Sequence, residues 1–214
     1  MHADLINNLN TEYMKHVLAG LLALSSLAAP SGFAQTVVTN FGGLSATINL
    51  SYPSIDVNVA DPFGNSLGKV NASDQNIVIQ LATGTSVGSH GVANFGVETT
   101  LGEMKSASIG PLQLKATGNS ALYAEAGYVL DAQAMVYGKL STNQLTAEVS
   151  GPGAEGTLTA HGYGYGAGYR LALAHGTFLQ GELMQVIYSD VISNSGLVFK
   201  PTNTTAMVGV GIKF

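Results

Sequence analysis

Cysteine and tryptophan are both absent from this chain of 214 residues. Without cysteine, disulfides cannot hold the fold, and thiol catalysis and cysteine-based zinc sites are excluded. Charged residues make up only 10% of the chain, and the formal net charge is −5. This charge balance argues against a nucleic-acid partner.

Long apolar runs are also scarce. The most extended one, from Val17 to Ala29, is shorter and more broken than the ~20 apolar residues that a membrane-spanning helix needs. It follows the basic residue Lys15 and is followed by small residues, which is the organisation of a secretory signal peptide. We therefore expect a signal peptide over residues 14–34 and export of the protein.

Three segments follow from this prediction. Cleavage is expected between Ala34 and Gln35, after the small residues that end the signal. Residues 1–13 are polar and mildly acidic, unlike the start of a signal peptide, so we interpret them as an extension from an upstream start codon. Residues 35–214 show no linker and are expected to form a single domain.

The C-terminal residues 204–214 alternate strictly between two kinds of side chain. Successive side chains of a strand point to opposite faces, so one face of this segment is apolar and the other suits a packed interior. The length is about that of a tilted transmembrane strand, ~9–11 residues. The apolar face comprises Ala206, Val208, Val210, Ile212 and Phe214.

The same alternation recurs along the chain and predicts an all-β fold. In lipid every backbone polar group must be paired within the protein. Because no apolar run is long enough for a membrane-spanning helix, strands that cross the membrane must close into a barrel. We predict an eight-stranded antiparallel up-and-down transmembrane β-barrel. Its strands are expected at about 41–59, 75–87, 91–102, 113–130, 132–149, 157–174, 177–190 and 204–214.

The predicted connections alternate in length. Outer-membrane barrels join their strands by short periplasmic turns and longer external loops. Short connections are expected near Gly88, Asp131 and His175. Long ones, rich in turn-forming Gly, Pro and Asn, are expected at about 60–74, 103–112, 150–156 and 191–203.

The predicted register also places charged side chains inside the barrel. Eight strands enclose an interior just wide enough for side chains to fill, and buried charges persist only when they are paired. We therefore predict a filled lumen with three acids against three bases. The expected interior network is Glu98, Glu125, Lys139, Arg170, Glu182 and Lys213.

Several strands carry a family resemblance, above all LYAEAGYVL, HGYGYGAGYRLAL, FLQGELMQVIYSD and AMVGVGIKF. These segments resemble the small eight-stranded outer-membrane barrels of Gram-negative bacteria that include the opacity proteins and OmpX-like proteins. The resemblance implies an integral outer-membrane protein in contact with lipid and lipopolysaccharide. It also implies insertion by the barrel-assembly machinery, with Val208, Val210, Ile212 and Phe214 as the assembly signal. Aromatic girdles would consist of Tyr128, Tyr163, Tyr169, Phe178 and Tyr188.

No catalytic, cofactor or metal site is predicted. The GxGxxA pattern that begins at Gly162 continues into a strand and not into the helix that dinucleotide binding requires. We expect a non-enzymatic barrel with a structural or surface-interaction role and a possible external ligand at its loops. Two alternatives stay open: a small diffusion porin, and a lipid A-modifying enzyme that would use His161 with Ser150 or Thr159. A soluble, lipocalin-like barrel with its apolar face inward is the rival architecture.

Overall fold

The structure, a computed structural model, leaves the predicted signal peptide, the Ala34–Gln35 cleavage site and the N-terminal extension outside its described residues. It describes residues 40–102, 107–109, 112–151, 155–193 and 196–214. Among these residues no helix combines the length and the apolar character needed to cross a membrane.

Eleven antiparallel strands form one sheet in the described part of the chain. Eight of them are long and three, β2, β5 and β10, are short additions at one end. Their bounds are β1 Gly43–Ala60, β2 Ser66–Ser73, β3 Asn76–Val87, β4 Gly91–Leu101, β5 Ala107–Ile109, β6 Leu112–Val129, β7 Ala134–Ser150, β8 Gly156–Ala172, β9 Thr177–Tyr188, β10 Val191–Ile192 and β11 Val198–Lys213.

The sheet closes on itself. The long strands pair with their neighbours in chain order, and the last strand, β11, pairs with β1 from Ser45↔Lys213 to Ala60↔Val198. This closure leaves no open edge in the ring of long strands, which is the condition for spanning lipid with strands. The predicted eight-stranded antiparallel up-and-down barrel is confirmed.

Short turns lie at the end of the barrel that carries Phe214. They connect β3 to β4, β6 to β7 and β8 to β9, and the last of them uses Gly176 and His175 at positive φ angles. Longer connections lie at the opposite end. By the usual rule for outer-membrane barrels, the end with the short turns faces the periplasm and the other end is external.

Three predicted loops contain strands. Residues 60–74 include β2, which forms a hairpin with β1, and residues 103–112 include β5. Residues 191–203 include β10 and the start of β11, where Pro201 pairs with Val57. The prediction was wrong here because turn-forming Gly, Pro and Asn residues indicated loops, whereas part of each segment, including Lys69 and Asn71 in β2, lies in a strand.

A membrane section and an external section differ in polarity. Up to Pro53, β1 exposes Leu44 and Ile48 outward and buries Thr47 and Asn49 inside. All eight long strands share this arrangement, so the apolar face points to lipid and the soluble, lipocalin-like alternative does not apply to this section. Further outward-facing apolar side chains include Ile77, Leu81, Phe95, Leu101, Leu140, Leu179, Leu183, Val208, Val210 and Ile212.

Beyond Pro53 the polarity reverses without any change of register. Ile55 and Val59 are buried inside the barrel, whereas Asp56 and Asn58 lie on its outer face. We call this part the external section; it consists of β2, β10 and the outer halves of β1, β6, β7, β8 and β11. Its polar exterior and apolar interior are those of a barrel that stands in water.

The predicted aromatic girdles need a correction. Tyr128, Tyr163 and Tyr169 are exposed on the outer face as expected, but Phe178 and Tyr188 are only 4% exposed and face the interior. Both residues of β9 stand an even number of positions from Gln180, which also faces inward. The alternation therefore already excluded them from the lipid face.

Glycines on the inner face of β8 make room for large side chains from neighbouring strands. At Gly168 a Cβ would overlap the Tyr137 ring and lie 2.8 Å from the Gly181 carbonyl oxygen. Gly138, also in a membrane-section strand, has no atom within 4 Å of the corresponding position. The two glycines thus differ in packing although both lie in regular strand.

We expect Gly168→Val to lower the free energy of unfolding by ~1–3 kcal/mol, or to prevent folding, because overpacking displaces the Tyr137 ring. Gly138→Val is the matched control and should unfold close to the wild type. Urea unfolding in phospholipid vesicles and the heat-dependent shift in SDS gel migration measure the effect. Equal losses in both variants would contradict the packing role of Gly168.

Candidate functional site

Lys139 lies at the centre of a buried ionic network in the membrane section. Its Nζ atom is 2.7 Å from Glu98 Oε2 and 2.9 Å from Glu182 Oε1. It also lies 4.1 Å from the centroid of the Tyr123 ring, a cation–π distance. The Lys139 and Glu182 side chains have no solvent exposure. Lys139 therefore links β7 to both β4 and β9 across the lumen.

Arg170 forms the second centre of the network. Its Nη2 donates to Glu125 Oε2 at 3.2 Å and to Gln180 Oε1 at 3.1 Å. The guanidinium carbon lies 4.8 Å from the Tyr137 ring centroid and 5.0 Å from that of Phe178. The planar guanidinium thus combines an ion pair with stacking on aromatic faces, which a lysine could not reproduce. Phe178, wrongly assigned to a girdle, has this interior role.

Neutral side chains complete the network. Gln80 Nε2 donates to Glu98 at 3.0 Å, Asn94 Nδ2 to Glu125 at 3.1 Å, and the Tyr137 hydroxyl to Glu182 at 2.9 Å. The three carboxylates each gain a neutral donor besides a cation. Such additional hydrogen bonds are what make a buried set of charges tolerable.

Gln180 joins this network to the first strand. Its Nε2 donates to Asn49 Oδ1 at 2.8 Å and to Gln80 Oε1 at 2.7 Å. Alternation along their strands predicts inward positions for Asn49, Gln80 and Gln180, but it does not identify them as bridging residues. Amide side chains carry no charge that would single them out, so parity was the only available signal.

Five of the six predicted interior charges therefore meet, and Lys213 lies elsewhere. Lys213 is four residues further along β11 than Gly209, which pairs with Asn49 of the network. It is partly exposed near the periplasmic mouth, and its Cε lies 3.1 Å from the position of a Cβ on Gly43. Within the network, three acids face two bases.

This arrangement places mutually bonded side chains across the lumen of the membrane section. The side chains of Gln80, Lys139 and Asn49 are among the largest fully buried ones, so the network fills the cross-section of the membrane section.

In the described part of the chain, no three His, Cys, Asp or Glu side chains lie close enough together to hold a metal ion. His90 stacks on Tyr128 at the periplasmic end, with a centroid distance of 5.5 Å.

The predicted assembly residues lie on the lipid face. Val208, Val210, Ile212 and Phe214 are all exposed on the outer surface of β11 and just beyond it. The backbone N–H of Phe214 donates to the Leu44 carbonyl at 2.9 Å. Their role as an assembly signal stays a prediction.

Comparison with known families decides the classification. The model of the outer membrane protein beta-barrel domain matches residues 19–214. The chain belongs to this family. The protein is accordingly an integral protein of the bacterial outer membrane, as its lipid-facing alternation predicts.

Solved structures of outer-membrane proteins are similar to this chain. Neisserial surface protein A is 18% identical, with a TM-score of 0.50 over 81% of this chain and 98% of that protein. The attachment invasion locus protein Ail of Yersinia pestis is 11% identical, with a TM-score of 0.48 over 81% of this chain and all of Ail. At such identities the likeness concerns the fold alone. A search of curated protein sequences finds no significant match.

Lys139→Met should destabilise the folded barrel by ~3–5 kcal/mol, because it leaves Glu98 and Glu182 buried without their shared cation. Lys200→Met is the matched control, since Lys200 forms an ion pair with Asp190 at 3.0 Å while its side chain is 54% exposed. An exposed pair contributes only ~0–1 kcal/mol. Urea unfolding in phospholipid vesicles compares the two, and similar losses would refute the central position of Lys139.

Proposed function

We propose that this protein is a non-enzymatic outer-membrane barrel with a filled lumen, which holds its external section and four external connections at the cell surface. The observation that carries the proposal is the ionic network between Lys139, Arg170 and their three carboxylate partners. It occupies the membrane section from wall to wall, so the lumen serves as a rigid core. Function is then left to the external parts.

The diffusion-porin alternative requires this network to open. Lys139 bridges two acids on different strands, and Arg170 is held by Glu125, Gln180 and two aromatic rings. Opening a water path would separate these buried partners at once. The geometry therefore favours a closed lumen over a pore.

The geometry does not favour the lipid A-modifying alternative. His161 and Thr159 lie two residues apart on the outer face of β8, and no hydrogen bond joins their side chains in the described structure. Ser150 lies six residues along β7 from Gln144, the partner of His161. At about 3.3 Å per residue, this separates the hydroxyl from the imidazole by far more than a hydrogen bond.

An ordered hairpin tip supports a surface role. Asp61 Oδ1 accepts hydrogen bonds from the backbone N–H groups of Phe63 at 2.9 Å and Asn65 at 2.8 Å. The Asn65 side chain donates to the same carboxylate and, together with these backbone bonds, holds the pKa of Asp61 below its usual value. Phe63 is 89% exposed at this tip, between β1 and β2. An exposed aromatic side chain on a hydrogen-bonded turn is a suitable contact for an external ligand.

The proposed partners follow from this placement. Outer-membrane lipid and lipopolysaccharide would contact the apolar outer face of the membrane section. The barrel-assembly machinery would act on the β11 face that includes Val208 and Phe214. An external ligand would meet the hairpin tip around Phe63.

Planar-bilayer recordings test the closed lumen. The wild-type protein should show no long-lived channel events, because the network leaves no continuous water path. A variant with Glu98, Lys139 and Glu182 all changed to alanine should conduct, since its core loses all three side chains. A variant with the surface pair Asp190 and Lys200 changed to alanine should stay silent. Frequent openings of the wild type at the level of the triple variant would refute the proposal.

Epitope insertion tests the orientation. A tag after Gly64, in the β1–β2 tip, should react with antibody on intact cells. A tag after Ser89, in the short β3–β4 turn, should react only after permeabilisation of the outer membrane. Heat-dependent gel migration verifies that both tagged proteins are folded. Labelling of the Ser89 tag on intact cells would reverse the assigned orientation and the proposed surface role of the hairpin.

A further inference from the structure

The interior of the external section is not completely filled. It contains an apolar cavity of about 60 Å³, which we call the upper cavity. Val57, Leu114 and Leu158 at this cavity remain partly exposed, so it can be reached from outside. The buried apolar side chains that line this cavity include Ile55, Val70, Leu145, Ala160 and Phe199.

A second cavity of about 40 Å³, the deeper cavity, lies between the upper cavity and the ionic network. The two share Ile55, Ala116 and Leu145 as lining residues, so they adjoin. The deeper cavity also borders Glu98 of the network and several amide side chains. The inside of the protein thus changes from apolar to polar with depth.

Two polar atoms at the deeper cavity are buried and make no hydrogen bond within the described part of the chain. They are Nδ2 of Asn76, a residue 6% exposed, and Oδ1 of Asn143, a residue 4% exposed. One is a donor and the other an acceptor. A buried polar atom without a partner is costly, and native structures almost always satisfy such atoms. A donor and an acceptor on residues that line one cavity therefore mark a place where a guest molecule, water or ligand, is hydrogen-bonded.

We propose that the external section binds a small uncharged amphiphile, whose apolar part occupies the upper cavity and whose hydroxyl or primary amide group reaches Asn76 and Asn143. Such a polar group accepts from Asn76 Nδ2 and donates to Asn143 Oδ1. The apolar part contacts Ile55, Leu145 and Phe199. This site is separate from the lipid face and from the hairpin tip around Phe63.

Charge and size restrict the ligand. Glu98 is already held by Lys139 and Gln80, and Lys115 stands opposite Glu148 in the strand register, so a charged ligand would be buried without a dedicated counter-ion. The two adjoining cavities, of about 60 Å³ and about 40 Å³, are together smaller than the ~150 Å³ of an apolar cavity that holds benzene. The ligand is accordingly no larger than a short alkyl chain or a single ring with one polar group, and a ring is only partly enclosed, next to the partly exposed Val57, Leu114 and Leu158.

Titration of isotope-labelled protein in phospholipid nanodiscs tests this site. The probes are benzyl alcohol, toluene without the hydroxyl, and the charged benzoate. Benzyl alcohol should shift the side-chain amide signals of Asn76 and Asn143 in a saturable way, and toluene should bind roughly 5–150-fold more weakly, the equivalent of the two hydrogen bonds of the hydroxyl. Benzoate should not bind in the cavity.

Matched variants distinguish the site from partition into lipid. Asn76→Leu should lower the preference for benzyl alcohol over toluene to that of one hydrogen bond, whereas Asn58→Leu, on the outer face of the same section, should retain it in full. Ala160→Phe should fill the upper cavity and weaken both probes. If Asn76→Leu does not fold, Asn143→Leu and the wild-type comparison of the two probes still distinguish binding in the cavity from partition into lipid.

Three results would overturn the proposal. The first is equal affinity of benzyl alcohol and toluene for the wild type. The second is undiminished binding to folded Ala160→Phe. The third is an amide signal that does not report binding: it only follows probe concentration in the lipid, or it exchanges with water without any response to probe. Exchange with water alone would mean that the deeper cavity holds only water.

Discussion

Pairing of every backbone polar group within the membrane is the constraint on which the rest of this structure depends. The chain satisfies it by pairing β11 with β1, so that the ring of long strands has no free edge in lipid. Closure at eight strands sets a narrow interior. Because alternation sends half of every strand into that interior, the side chains there must fill it, and the charged ones must be paired and hydrogen-bonded. The Lys139 and Arg170 clusters are the consequence of this geometry.

The reversal of polarity beyond Pro53 shows how a strand serves two environments with one register. The alternation is unbroken from Leu44 to Val59, but the apolar set moves from the outer to the inner face. Lipid stabilises apolar groups on the outer face of the membrane section. Water surrounds the external section and drives apolar groups to its inner face. The position of this switch therefore marks the external boundary of the bilayer more directly than the ends of the strands do.

Most of the barrel could be predicted from the sequence, because period-2 alternation and turn residues are local signals. Glu98, Glu125, Lys139, Arg170 and Glu182 were assigned to the interior because charged side chains avoid lipid, and parity then assigned the other residues of their strands. Parity does not report height along the barrel axis, so Lys213 could not be separated from the other five. The strands of the external section were interpreted as loops because these segments contain turn-forming Gly, Pro and Asn residues. Phe178 and Tyr188 were misassigned because aromatic identity was given more weight than parity.

The ionic network and the external cavity depend on each other. A barrel of this width without a network would be a narrow channel, and an apolar external section would then be only its vestibule. With Lys139 and its acids in place, the external section has a closed polar floor, and molecules that enter from outside can leave only the same way. Asn76 and Asn143 lie just above that floor, next to Glu98, whose charge is already satisfied by Lys139. A closed lumen thus converts the external half of the barrel from a passage into a site.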